Sequence, residues 1–345
     1  MGAVREALHK AVAGEHLNEE EARQAVEEIL EGEAESAAIA GLLTALRIKG
    51  ETTDEIVGFA RAVRAHASKV GCRTARPDQL VDNCGTGGDG LNTFNISTAS
   101  AFMAAGAGAL VAKHGNRSIS SRCGSADVLE AAGANIQLTA EQAAAAIDEV
   151  GVGFLFAPLL HPAMKHAQPV RKALKMRTIF NLLGPLTNPA EAGAQVVGVF
   201  EPRLVPMMAE ALMRLGVRRA IVAHGADGLD EITTTAETQI ARLSDGRIEM
   251  GTLRPEDFGV EPARLEDLAG GDLEENALTL RRILDGEHGP RRDAAVVNAA
   301  AALTVCERAG GFREAARRAE EAVDSGAARE KFQRFVEFTN DFRVD

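Results

Sequence analysis

Between residues 80 and 105 the chain runs from a short apolar stretch, Leu80-Val81-Asp82, through Gly85-Thr86-Gly87-Gly88-Asp89-Gly90, into small residues from Ala99 to Ala105. Glycine at that density interrupts strand and helix alike, so the segment reads as strand, turn and helix, a βα unit. The helix opens after Asn92-Thr93-Phe94 on Asn95-Ile96-Ser97-Thr98. Its unpaired N–H groups and its dipole favour an anion, and the glycines let backbone approach one closely. Ser97 and Thr98 add hydroxyl donors, or oxygens for a metal. No Gly-Lys-Ser/Thr closes the turn as in a nucleotide-triphosphate loop, and it is not the dinucleotide Gly-x-Gly-x-x-Gly. Taken alone, it reads equally as a tight connection.

A chain of 345 residues with 46% apolar content has room for one large domain or two. It lacks Trp and Tyr and has 13 Phe, so its core is built from Leu, Val, Ile and Ala, which favours closely packed helices. A net charge of −12 argues against general nucleic-acid binding, which needs Lys and Arg on phosphates. It leaves room for a local basic pocket. Cys72, Cys84, Cys123 and Cys306 show no metal or disulfide spacing and read as reduced thiols of a cytoplasmic protein. No N-terminal signal is visible, and no apolar run reaches the ~18 residues of a membrane span.

Up to about residue 70 the pattern is helical only. Val4, Ala7, Leu8, Ala11 and Val12 share one face. Asn18 before three Glu marks a second start, residues 36–48 form a third helix stopped by Gly50, and Thr52 with Glu55 makes a capping box for a fourth. Residues 71–78 read as a linker. Candidate strands follow at 80–82, 109–112, 153–156, 195–200 and 220–223, separated by helical segments. The fold class is therefore α/β: a small all-helical N-terminal domain and a large domain with a mainly parallel sheet flanked by helices. We expect residues 1–71 in the helical domain, with a returning segment near 162–184. Residues 78–161 and 188–345 form the large domain, and hinges lie near 72–77 and 184–189, where Gly184-Pro185 and Asn188-Pro189 make rigid turns. The tail 273–342 is helical and covers the sheet.

Three further blocks carry chemistry. Lys113-His114-Gly115-Asn116-Arg117-Ser118, with Ser120, Ser121 and Ser125, follows the second strand, at the edge where open α/β sheets bind ligands. Lys113 could neutralise a phosphate, and Ser125 could cap the next helix. Lys113 and Arg117 also fit a solvated loop, and His114 a satisfied histidine. His161-Pro162 through Lys165-His166 and Val170-Arg171-Lys172 is unusually cationic for so acidic a chain, and an arginine fork suits a carboxylate. Asp230-Glu231 could hold Mg²⁺, or simply form a solvated turn.

In order and spacing these blocks, with Asn181-Leu182-Leu183-Gly184-Pro185-Leu186-Thr187-Asn188-Pro189, resemble the anthranilate phosphoribosyltransferases of tryptophan biosynthesis along essentially the whole chain. The resemblance implies transfer of the phosphoribosyl group of phosphoribosyl pyrophosphate to the amine of anthranilate, with Mg²⁺ as cofactor. It implies donor contacts from Gly85, Gly88, Asp89, Thr93, Asn95, Ile96, Ser97, Thr98, Lys113, Ser118, Ser120, Ser121 and Ser125. Gly85, Asn116, Arg171, His114 and His161 would line the anthranilate path, and Ser97, Asp230 and Glu231 would bind metal. A homodimer through the helical domain also follows from it, while the net charge and the lack of a long apolar run lead us to expect no nucleic-acid or membrane partner. Lys175 departs from the family, which usually has glycine there. Pyrimidine nucleoside phosphorylases share the glycine turn and a Lys-His-Gly motif, and stand as the alternative, beside a nucleic-acid-binding relative of the same fold. A neutral aromatic amine needs no strong base, and neither a nucleophile nor a strong base is expected.

Overall fold

The computed structural model describes residues 2–118 and 123–343. Four helices come first: α1 (Ala3–Val12), α2 (Glu19–Leu30), α3 (Ser36–Lys49) and α4 (Thr53–Ala65). Their ends follow local chemistry. Asn18 accepts from the Glu21 N–H at 2.9 Å while Glu21 accepts from the Asn18 N–H at 3.0 Å, and Thr52 with Glu55 repeats the pattern. Gly50 closes α3 at φ 88°. One residue of the expected α1 stripe is misplaced: Val12 is 72% exposed. Val4, Ala7 and Ala11 already form the buried seam, and the next residue turns about 100° away from it.

The large domain then alternates: β1 (Leu80–Asp82), α5 (Ile96–Gly106), β2 (Leu110–Gly115), α6 (Ser125–Ala131), α7 (Ala140–Val150) and β3 (Val152–Phe156). A single turn, α8 (Ala157–Leu160), and α9 (Gln168–Leu174) lead to β4 (Ala194–Gly198), α10 (Leu204–Arg214) and β5 (Arg219–Gly225). Next come β6 (Thr238–Ser244), β7 (Arg247–Leu253) and the short α11 (Pro255–Phe258). The chain finishes with α12 (Leu273–Leu284), α13 (Pro290–Val305), α14 (Phe312–Asp324) and α15 (Ala327–Asn340).

The seven strands lie in the order β3-β2-β1-β4-β5-β6-β7. The first five are parallel, and β6 and β7 add an antiparallel edge. That edge is absent from the strands expected above. Its residues alternate apolar with polar and β7 is mostly exposed, so it lacks the continuous apolar run of a strand buried on both faces. Asp245-Gly246, both at positive φ, is the hairpin signal that marked it.

Along the parallel strands successive side chains point to opposite faces. Val81, Val111, Phe154 and Val196 face a core shared with α5, α6 and α12–α15. At its centre the alanine-rich α13 is buried along nearly its whole length, its small side chains letting it approach α5 closely. On the other face Val197, Ala220 and Val222 pack with α10 and the helical bundle, and Leu80, Ala112 and Leu155 pack with α7. Residues 162–174 lie against α2 and α3. Ala167, Val170, Ile179 and Phe180 join the bundle's core.

Candidate active site

From β1 the chain winds to β2 and β3 on one side, and β4 and β5 lie on the other. The strand order therefore reverses between β1 and β4, the position where open parallel sheets leave a crevice beyond their carboxyl ends. The glycine turn leaves β1 at this point. Thr86 N–H donates to Gly198 O at the end of β4 at 2.9 Å. A Cβ on Gly85 would stand 3.0 Å from that oxygen, and one on Gly198 would stand 1.6 Å from Asp230 O. Glycine at both positions is what lets three backbone segments meet. Gly87, Gly88 and Gly90 have φ 67°, 92° and 79°, the left-handed region that side chains avoid.

Asp230 and Glu231 follow β5 in the same crevice, partly open to it. Burial, with Asp89 and Glu231 beside it, holds the Asp230 carboxyl well above its ordinary value. Burial, opposed by Lys113, raises Glu231 to about 7, while the Ser97 hydroxyl and amide sit against its carboxylate. Carboxylates crowded until they prefer a proton are suited to a cation that would relieve the repulsion. Among the described residues no three His, Cys, Asp or Glu form a ready cage for a metal. The donors at hand, the Asp230 and Glu231 carboxylates and the Ser97 hydroxyl, are all oxygens, which suits a hard ion such as Mg²⁺ that takes few protein ligands and completes its shell with water and substrate oxygens.

Beneath the turn lies a buried polar layer. Lys113, 3% exposed, donates to Asn83 Oδ1 at 3.2 Å, and Asn83 Nδ2 donates to Ser97 O at 2.7 Å. Lys113 is therefore no solvated loop residue, since β2 runs on to Gly115 and carries it inside. Asp82 accepts from the His114 N–H at 3.1 Å and from Asn188 Nδ2 at 2.7 Å, tying β1 to β2 and to the Asn188-Pro189 turn. His114 Nδ1 lies 2.8 Å from Gly184 O and must donate to it, so Nε2 of the neutral ring accepts from His161 Nε2, 3.2 Å away. Burial lowers both rings, His161 to about 3.

Arg171 lies near the end of α9 with its guanidinium 5.4 Å from the Phe180 ring centroid. Burial depresses its pKa, and among the described residues it has no carboxylate partner. Further along, Arg177 stacks on Phe200 at 4.3 Å and donates to the Gly88 carbonyl, which brings this segment onto the glycine turn. Asn116 O accepts from Ala126 N–H at 3.2 Å and from Ser125 Oγ at 3.4 Å. Ser125 is thus not the cap of α6. Gly124 holds that position, and Asp127 accepts from the N–H groups of Gly124 and Ser118. Arg117 pairs with Asp127 and Glu130.

The remaining expected residues divide by burial. Thr93 bridges to Ala269, and Asn95 precedes α5 with its amide on Cys123 O at 3.2 Å. Ile96 and Thr98 are buried side chains of α5, whereas Ser97 faces the carboxylates. Ser120 and Ser121 lie outside the described residues. The sequence reading missed Asp82, Asn83, Asn188 and Arg177 as parts of the site. A paired Asp-Asn closing an apolar strand was the available signal for the first two.

Two family models cover the chain: a helical-bundle domain of the glycosyl transferase family over residues 5–67 and its a/b domain over residues 77–329. The chain is 52% identical over 339 residues to the anthranilate phosphoribosyltransferase of Acetivibrio thermocellus, covering 98% of this chain and 97% of that one. It is 53% identical over 334 residues to that of Rubrobacter xylanophilus, covering 96% of each. The crystal structure of the Thermus thermophilus enzyme superposes with a TM-score of 0.91 at 45% identity, over 97% of this chain and 99% of that one. The Saccharomyces cerevisiae enzyme, solved in complex with PRPP and Mg, gives 0.89 at 26% identity, over 98% of each. With the helical bundle, the switch-point crevice and the carboxylate pair all in place, the chain belongs to the anthranilate phosphoribosyltransferase family.

Proposed function

We propose that the protein transfers the phosphoribosyl group of phosphoribosyl pyrophosphate to the amine of anthranilate and releases pyrophosphate. The observation that carries this reading is the crevice beyond β1 and β4, to which Arg177 ties the segment that carries Arg171 through its bond to the Gly88 carbonyl. On one side are the amide-rich glycine turn and Asp89, Asp230 and Glu231. On the segment tied to it is Arg171, desolvated and without a carboxylate partner among the described residues. The first suits a polyanion with its metal, and the second suits a small aromatic acid.

In this reading Gly85, Gly88, Asp89, Thr93 and Asn95 through Thr98 bind the donor's pyrophosphate and ribose. Lys113, Ser118, Ser120, Ser121 and Ser125 complete that side. Asp230, Glu231 and Ser97 would hold Mg²⁺, which supplies charge neutralisation for the departing pyrophosphate. Arg171 orients the anthranilate carboxylate, and Asn116, His114 and His161 with the Gly85 backbone shape its path. The amine nitrogen attacks C1 as the bond from C1 to the pyrophosphate oxygen breaks, and the electron pair leaves with that oxygen. The new N-aryl ammonium, a strong acid for an amine, then gives its proton to water. The depressed histidines are poor bases, so positioning and electrostatics carry the rate.

The reading also includes a helical unit, 1–71 with 162–184, that closes on the unit 78–161 and 188–345 about hinges near 72–77 and 184–189. A homodimer through the bundle is supported by exposed Val12 and Ile48. A cytoplasmic location is supported by free cysteines. Among the described residues no helix is long and apolar enough to cross a membrane.

Anthranilate fluorescence provides the test, since no Trp or Tyr obscures it. With PRPP and Mg²⁺ the signal should fall, and Arg171→Ala should raise the anthranilate KM by about tenfold or more while sparing the donor KM. No consumption of anthranilate, or phosphorolysis of uridine instead, overturns the assignment.

A further inference from the structure

Two carboxylates that repel each other stand side by side only if the backbone beneath them is held. Asn298, in the middle of α13, is 2% exposed. Its Oδ1 accepts from the Ile232 N–H at 3.1 Å, and its Nδ2 donates to Ile232 O at 2.9 Å and to Ala294 O at 2.9 Å. One amide thus takes both backbone groups of the residue that follows Glu231, and it is anchored to its own helix one turn back. Turning the amide over would break all three bonds, so its partners fix its orientation. Its neighbours on α13 are buried Ala and Val, and a lone polar group survives in such a setting only when fully bonded.

The other end of the pair is held as firmly. Asp227 Oδ1 accepts from the Leu229 N–H at 3.1 Å, and Oδ2 accepts from the Thr233 hydroxyl at 2.7 Å and from the Thr235 hydroxyl. Gly198 backs directly onto the Asp230 carbonyl.

We propose that Asn298, with Asp227, is a positioning device: together they clamp the loop on either side of Asp230 and Glu231 and set the separation at which the two carboxylates meet a divalent ion. The proposal rests on the reading of those carboxylates as magnesium ligands. Partners behind a metal's ligands typically change its affinity by about 10–100-fold when removed, so the clamp acts on metal affinity as well as on folding.

The test compares Asn298→Ala with Asn135→Ala. Asn135 is also buried, and its side chain donates from Nδ2 to Thr339 O on α15 at 3.2 Å and accepts at Oδ1 from the Gln137 N–H at 2.9 Å, away from the 226–237 loop. Its loss therefore removes a buried, hydrogen-bonded amide of the same kind without touching the clamp. Mn²⁺ binding in the presence of PRPP, without anthranilate, is followed by electron paramagnetic resonance, and the Mg²⁺ concentration for half-maximal rate is measured separately. Asn298→Ala should weaken both by about tenfold or more, whereas Asn135→Ala should lower Tm and leave both unchanged. A folded Asn298→Ala protein with unaltered metal response overturns the proposal. Should that variant fail to fold, Asp227→Asn, which keeps the side chain's size, must show the same shift, and its absence is equally decisive. Asp230→Asn with Glu231→Gln separates the two readings. If that pair leaves the metal response intact, the ligand assignment itself is wrong. If it abolishes the response while the clamp variants do not move it, the clamp alone is refuted.

Discussion

Lys175 closes α9 in the left-handed region, at φ 47° and ψ 32°, with its N–H on Arg171 O at 3.3 Å. That is a helix C-cap conformation which glycine adopts freely and a side chain does not. The departure noted in the sequence therefore leaves the turn geometry intact and is met by local strain. Lys175→Gly should raise stability by about 0.5–1 kcal/mol, read from the denaturant midpoint, because relief of the strain exceeds the glycine's extra chain entropy. An unchanged or lower midpoint would show that the lysine is not strained. At this scale residue type was legible and exposure was not. Ser97 and Thr98 are adjacent hydroxyls, yet Ser97 faces the carboxylates and Thr98 is buried, because neighbours in a helix diverge by about 100°.

The element that organises the crevice is the pair β1 and β4 with the turns that leave them. Gly198 ends β4 against the Asp230 carbonyl, and a methyl there would have to displace backbone rather than a flexible side chain. Gly198→Ala should destabilise the fold by about 1–3 kcal/mol, as overpacking does. It should also raise the Mg²⁺ requirement, since the displaced backbone carries Asp230, the carboxylate proposed above as a metal ligand. Wild-type stability and Mg²⁺ titration in this variant would mean that the close approach has no role. The sequence marked Gly85 through Gly90 by density. Gly198, a lone glycine at the end of a strand, carried no comparable mark, because its constraint comes from a segment that is distant in the chain and adjacent only after folding.

For the molecule as a whole, the bundle is fastened to the sheet layer through α10. Arg64 on α4, pushed down to about 10 by burial, donates to Leu186 O at 2.6 Å and Leu215 O at 2.9 Å. Arg214 on α10 pairs with Glu19 and Asp54. The histidine pair sits at the same junction and couples β2 to His161 and Gly184. The unfolded chain binds a proton at His161 near 6.5, whereas the folded protein does so only near 3. Between those values the unfolded state holds more protons, so stability falls as pH drops through 6.5 and keeps falling towards 3. His161→Gln should flatten that part of the acid-stability profile relative to the parent, measured as Tm against pH. A parallel profile in the variant would show that the ring does not titrate in this way.

What the sequence determined by itself is whatever local chemistry decides: four capped helices, the glycine turn, the α/β alternation and the types of residue available to bind a phosphate, a carboxylate and a metal. Hydrogen bonds between residues three apart and φ values open only to glycine are written in neighbouring letters. What only the tertiary structure decided is which of those residues meet. The reversal of strand order set Gly85 against Gly198, carried Lys113 inside and brought Asn298 under the carboxylate loop. Those contacts follow from strand order and from the packing of an alanine-rich helix, both of which are settled by burial over the whole chain.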